Sequence, residues 1–73
     1  MKRLRLAVVV AGADVARVAA RFMQYLARKS VYIEGFAREN DQYFLKVRTG
    51  HTTAELERIA TQHHNISTAF AHC

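Results

Sequence analysis

Hydrophobic and polar positions follow two different periods along this chain, and the changes of period mark its elements. Lys2-Arg3-Leu4-Arg5-Leu6 alternates polar with apolar and then runs into Ala7-Val8-Val9-Val10. Period two followed by a β-branched run predicts a strand that starts at the surface and enters a core. Gly12 ends it, and Asp14 stands where a helix N-cap belongs, its carboxylate able to accept from an orphan amide of the first turn. From Val15 to Lys29 the period becomes helical. Val15, Val18, Ala19, Phe22, Met23 and Leu26 share one face, and Arg17, Arg21, Gln24 and Arg28 another.

Val31–Arg38 and Gln42–Thr49 read as a second and a third strand. They are joined by Glu39-Asn40-Asp41, short polar residues that tolerate turn geometry, so the two strands should pair as a hairpin. After Gly50, Thr52-Thr53-Ala54-Glu55 has the form of a capping box opening a second helix. Leu56, Ile59, Ala60 and His63 form its apolar face, Asn65 is the expected left-handed stop, and Ile66–His72 is a short last strand. The order β-α-β-β-α-β predicts an α+β fold of ferredoxin-like type: a four-stranded antiparallel sheet with both helices on one face, by right-handed crossovers. The whole chain, residues 1–73, is read as a single domain of this kind, with its other sheet face open.

Alternation then assigns the faces. Leu4, Leu6, Val8, Val10, Val31, Ile33, Ala37, Tyr43, Leu45 and Val47 turn toward the helices. Arg3, Arg5, Tyr32, Phe36, Arg38, Phe44, Lys46 and Arg48 turn outward, forming the candidate interface or ligand face. Ile66 and Phe70 share a face in the last strand and are assigned to the core.

Composition narrows what such a face can meet. Eleven Lys+Arg against six Asp+Glu give a formal net charge of +5, which favours anionic partners or serves solubility alone. One cysteine, Cys73, excludes a disulfide within the chain and fits a reducing, cytoplasmic setting. The apolar run Leu6–Ala13 lacks the tail of a signal peptide and is far shorter than the roughly 20 residues that cross a bilayer, so no membrane partner is expected.

Cations among aromatic rings fit single-stranded nucleic acid, because cations neutralise phosphates and rings stack on bases. RNA-recognition motifs share this topology, but they carry an aromatic on the first strand and two alternate ones on the third. This first strand has none, and Tyr43 and Phe44 are adjacent. The leading expectation is therefore that a second copy covers Tyr32, Phe36 and Phe44, since exposed apolar patches mark interfaces and the stacking geometry is incomplete, with nucleic acid as the alternative.

The passage Leu26-Ala27-Arg28-Lys29-Ser30-Val31-Tyr32-Ile33-Glu34-Gly35-Phe36, with Val15-Ala16-Arg17-Val18-Ala19, resembles ACT domains, most of all those in the small regulatory subunits of acetohydroxyacid synthase. A weaker resemblance links Tyr43-Phe44-Leu45-Lys46-Val47 to the effector domain of leucine-responsive regulators. Both resemblances imply a regulatory, dimeric, non-catalytic module that binds a protein partner or small ligand. They make the loop Gly12-Ala13-Asp14 the ligand candidate, although ACT domains carry Pro-Gly there and Asn at the place of Tyr32.

No catalytic residue, metal site or cofactor is expected. His63, His64, His72 and Cys73 are metal-type donors, but adjacent histidines on a helix diverge by about 100°. The carboxylates Asp14, Glu34, Glu39, Asp41, Glu55 and Glu57 form no acid–base pair. The two readings of the open face separate experimentally. If nucleic acid is bound, replacing Arg5, Lys46 and Arg48 abolishes a salt-sensitive interaction; if a second copy is bound, a charge at Phe44 yields monomers.

Overall fold

The computed structural model describes residues 1–12 and 14–73. Its elements run β1 (Lys2–Val10), α1 (Val15–Arg28), β2 (Val31–Glu39), β3 (Gln42–Thr49), α2 (Thr53–Thr61) and β4 (Ile66–His72). The strands form one antiparallel sheet in the order β2-β3-β1-β4, with β2 and β4 at the edges.

The core lies between the sheet and the helices, where the alternation of β1 and β3 places it. Leu4, Leu6, Val8 and Val10 of β1 and Tyr43, Leu45 and Val47 of β3 are buried. Ala19, Phe22 and Leu26 of α1 and Leu56 and Ala60 of α2 close over them, with Val15, Val18, Met23 and Ile59 half-buried at the margin. The helix-period residues of the sequence are therefore the ones that pack. Tyr25 ties the two helices together, its hydroxyl donating to the Ile59 carbonyl at 2.7 Å.

Both helix starts follow from local chemistry. Asp14 caps α1, its carboxylate accepting from the Arg17 amide at 3.2 Å. At α2 the capping box is complete: Thr52 Oγ1 accepts from the Glu55 amide at 3.1 Å, and Glu55 Oε1 accepts from the Thr52 amide at 3.0 Å. Those bonds, the Thr52 backbone first, hold the Glu55 carboxyl below its ordinary pKa. The left-handed stop expected at Asn65 is not used. The helix ends at Gln62 in right-handed geometry, and the Asn65 carbonyl accepts from the Ala11 amide at 2.8 Å instead, joining the β1–α1 and α2–β4 connections. Left-handed φ angles occur at Ser30 (63°), just past α1, and at Asn40 (58°), in the hairpin. Gly12, at φ 124°, holds a conformation that a side chain rarely adopts.

The edge strands depart from simple alternation. In β2 the register shifts between Ile33 and Gly35, so that Ile33 opposes Val47 and Gly35 opposes Lys46, leaving Glu34 as an extra residue. In β4 it shifts beside Val9 and Val10: Val10 opposes Ile66 and Val9 opposes Thr68, leaving Ser67 extra. Each is a β-bulge, and beyond each the side chains exchange faces relative to a strict two-residue period.

Thr49 is a fully buried polar residue at the end of β3. Its hydroxyl donates to the Ser30 carbonyl at 3.2 Å and accepts from the His51 amide at 3.2 Å, linking the α1–β2 and β3–α2 connections. Replacing Thr49 by Val keeps the shape and leaves both backbone groups without this partner. We expect a loss of about 1–3 kcal/mol in chemical denaturation, against near-neutrality for Thr49→Ser.

Candidate functional site: the open sheet face

Cross-strand partners share a face, so the register gives the composition of the open side in rows. The row toward the hairpin is Glu39, Gln42, Val9 and Thr68. The next is Ala37, Phe44, Ala7 and Phe70, followed by Gly35, Lys46, Arg5 and His72. The last is Tyr32, Arg48 and Arg3. An aromatic row thus lies beside a cationic row, and a mixed row follows.

Six of the eight expected residues come together here: Arg3, Arg5, Tyr32, Phe44, Lys46 and Arg48. Phe36 and Arg38 do not. Beyond the β2 bulge, Phe36 opposes Leu45 and Arg38 opposes Tyr43, which places both on the helix side of the sheet. Phe36 rests its ring 6.1 Å from that of Tyr43 at the uncovered end of the hairpin, and Arg38 Nε donates to the Asn40 carbonyl at 2.8 Å. Ala37, expected in the core, faces outward opposite Phe44.

The β4 bulge makes the converse correction. Ile66 is buried as expected, but Phe70 opposes Ala7 on the open face and is 63% exposed. His72 joins the face opposite Arg5. Sequence carried a signal for the first bulge: a lone glycine, Gly35, inside a strand pattern is a usual mark of one. For the second, the signal was the polar pair Ser67-Thr68 between Ile66 and Ala69, which breaks alternation by one residue.

Phe44 and Phe70 flank Ala7 on the two strands beside β1, about 10 Å apart by strand spacing. With Ala7, Gly35 and Ala37 as a low floor and Arg5, Phe44, Lys46 and His72 among its walls, the face holds an open depression of ≈ 700 Å³. Arg3 is paired with the Glu34 carboxylate at 3.4 Å, whereas Arg5, Lys46 and Arg48 make no ion pair among the described residues.

The loop candidate is separate from this face. Ala13 lies outside the described residues. Gly12 is exposed, and the Asp14 carboxylate is taken up by the Arg17 amide and by Arg17 Nε at 3.6 Å. A carboxylate at that helix start opposes an anion.

Most carboxylates have structural work. Besides Asp14 and Glu55 at caps and Glu34 on Arg3, Glu57 Oε2 accepts from the Ala71 amide at 2.8 Å. The histidines are dispersed: His72 is on the open face, and His51 Nε2 lies 2.9 Å from the Lys29 carbonyl. No group of three His, Cys, Asp or Glu side chains converges among the described residues. His63 packs its ring edge-on against Phe22 and Tyr25, at 5.6 and 5.2 Å, and stacks on His64 at 5.0 Å.

The architecture is that of a ferredoxin-like α+β domain. It is similar to the solution structure of the C-terminal domain of the MgtC protein from Mycobacterium tuberculosis, with a TM-score of 0.59 and 18% identity over 96% of this chain and 84% of that one. At this identity the likeness is one of fold. No family model matches the chain, and no curated protein matches its sequence. The ACT resemblance therefore reaches no further than the β-α-β-β-α-β order, and membership of that family is not shown. No helix among the described residues is long and apolar enough to cross a membrane.

Burial, and then the charge of His64, holds the His63 imidazole below its ordinary pKa. The folded value lies below the unfolded one, so this contribution to stability is full above about pH 6.5 and is lost as pH falls through the folded value. His63→Phe is expected to flatten the fall of thermal stability below about pH 6.5; an unchanged slope would assign that fall to other groups.

Proposed function

We propose that this domain is a non-catalytic interaction module of regulatory type whose working surface is the open sheet face, and that the face receives an anionic partner. The observation that carries the reading is the adjacency of the rows: Lys46 and Arg5 side by side, Arg48 and Arg3 beyond them, and exposed rings along the border. Among the described residues no element covers these side chains; of the carboxylates on the face, Glu34 is held by Arg3 and Glu39 lies in the row by the hairpin, away from Arg5 and Lys46. Clustered cations over a concave apolar floor raise the local concentration of an anionic ligand and select against cationic surfaces.

Self-association, expected from the sequence, is not part of this reading. A two-fold contact between open faces with its axis along the strands sets the rows of Arg3, Arg5, Lys46 and Arg48 against the same rows of the copy, and like charges facing each other are destabilising. The sheet edges carry features that discourage strand addition: the bulge in β2, and in β4 the occupation of the Ala71 amide by Glu57.

The test is binding to heparin, a flexible polyanion, followed by amide shifts. Shifts should concentrate on β1, β3 and the end of β4. The double variant Arg5→Glu/Lys46→Glu should lose affinity by about tenfold or more, whereas Arg17→Glu/Arg21→Glu on the outer face of α1 should lose much less. An equal loss from both pairs, or a dimer that Phe44→Asp converts to monomer, would overturn the proposal.

A further inference from the structure

The geometry points to single-stranded nucleic acid as the occupant of the open face, with bases stacked on Phe44 and Phe70 and phosphates held by Arg5 and Lys46. This inference rests on the preceding reading and adds the identity of the partner.

Its first support is the aromatic row. Phe44 and Phe70 are 40% and 63% exposed, each opposite Ala7 on the intervening strand. A small residue between two rings leaves both ring faces accessible from above. Neither ring lies in an aromatic pair among the described residues; the pairs that exist involve Phe22, Tyr25, Phe36, Tyr43, His63 and His64. Two free rings on one sheet form a stacking platform, and stacking accepts any base because every base has a π-face.

The second support is the neighbouring row, Lys46, Arg5 and His72, one step along the same strands. A nucleic-acid strand has bases on one side of its backbone and phosphates along it, so a surface that fits it needs rings and cations in parallel lines. This face has them, and Tyr32 beside Arg48 extends the pattern by a row. An acidic protein surface would satisfy the cations without using the rings, and a purely apolar partner would strand the cations.

Duplex nucleic acid fits less well, because its bases are already stacked and are not free to lie on the rings.

The test is fluorescence anisotropy with labelled oligo(U) and oligo(dT) of about ten nucleotides, a site size within the range of small sheet platforms, at about 50 and about 200 mM salt. Heparin and a duplex of the same length serve as competitors. Binding should weaken as salt rises, and Lys46→Gln should lower the magnitude of the salt slope by about one. Phe44→Ala and Phe70→Ala should each weaken binding by about 5- to 150-fold.

Arg38→Gln, on the other side of the sheet, should leave affinity unchanged. Phe44→Leu and Phe70→Leu provide variants that keep apolar bulk without a ring, with folding checked by circular dichroism. They too should weaken binding. Preference between the two oligonucleotides distinguishes RNA from DNA as the strand, either of which supports the inference. Heparin binding on the face with no oligonucleotide binding, or oligonucleotide binding indifferent to both phenylalanines, would overturn this inference and leave the anionic-partner reading standing. Absence of binding to either polyanion overturns both.

Discussion

Side chains of a strand alternate between faces, so one inserted residue moves everything beyond it to the other side. That constraint governs the chemistry of this domain. The central strands β1 and β3 keep strict alternation over their paired lengths, and they anchor the core through Leu4, Leu6, Val8, Tyr43, Leu45 and Val47. The edge strands each contain one bulge. Glu34 turns Phe36 and Arg38 toward the helix side, and Ser67 turns Phe70 and His72 outward. The open face exchanges one aromatic for another and in doing so gains a ring in line with Phe44.

The bulges have a second consequence. A 73-residue domain has a small core, and its two exposed edges invite pairing with other chains. Bulges disturb the regular ladder that an added strand would need. At β4 the remaining flat stretch is also guarded, because Glu57 reaches from α2 to the Ala71 amide. Glu57 therefore does for an edge amide what Thr52 and Glu55 do for the amides of a helix start. These charged and polar groups are absorbed by the backbone of the fold, whereas Arg5, Lys46 and Arg48 of the open face make no ion pair among the described residues.

Much of this was legible in the sequence, for reasons that can be named. The α+β order and the core positions of β1, β3 and α1 followed from long, unbroken periodicity; the caps at Asp14 and Thr52 followed from residues whose side chains have one favoured use there. Six face residues were placed correctly because they lie on strands, or parts of strands, without an insertion. Phe36, Arg38 and Ala37 were misplaced, and Phe70 was sent to the core, because a period-two reading carries no information about an insertion it does not look for. Gly35 could have supplied that information. Asn65 illustrates a different limit: its role is set by the distant Ala11 amide, which no local window contains.

The corrected face also changes the balance between the two occupants weighed from the sequence. A second copy was favoured while Tyr32, Phe36 and Phe44 formed the apolar patch, because three rings on neighbouring strands could bury one another across a two-fold axis. With Phe36 removed, the rings that remain are Tyr32, Phe44 and Phe70, and the two phenylalanines are separated by Ala7 and bordered by Arg5 and Lys46. Burying that surface against itself would desolvate Arg5, Lys46 and Arg48 with few carboxylates to meet them: Glu34 is already engaged by Arg3, and Glu39 sits at the far end of the face, in the row by the hairpin. A nucleic-acid strand brings the missing negative charge and flat apolar surface in one polymer. As the proposed occupant it would neutralise the cations where they stand and cover the rings.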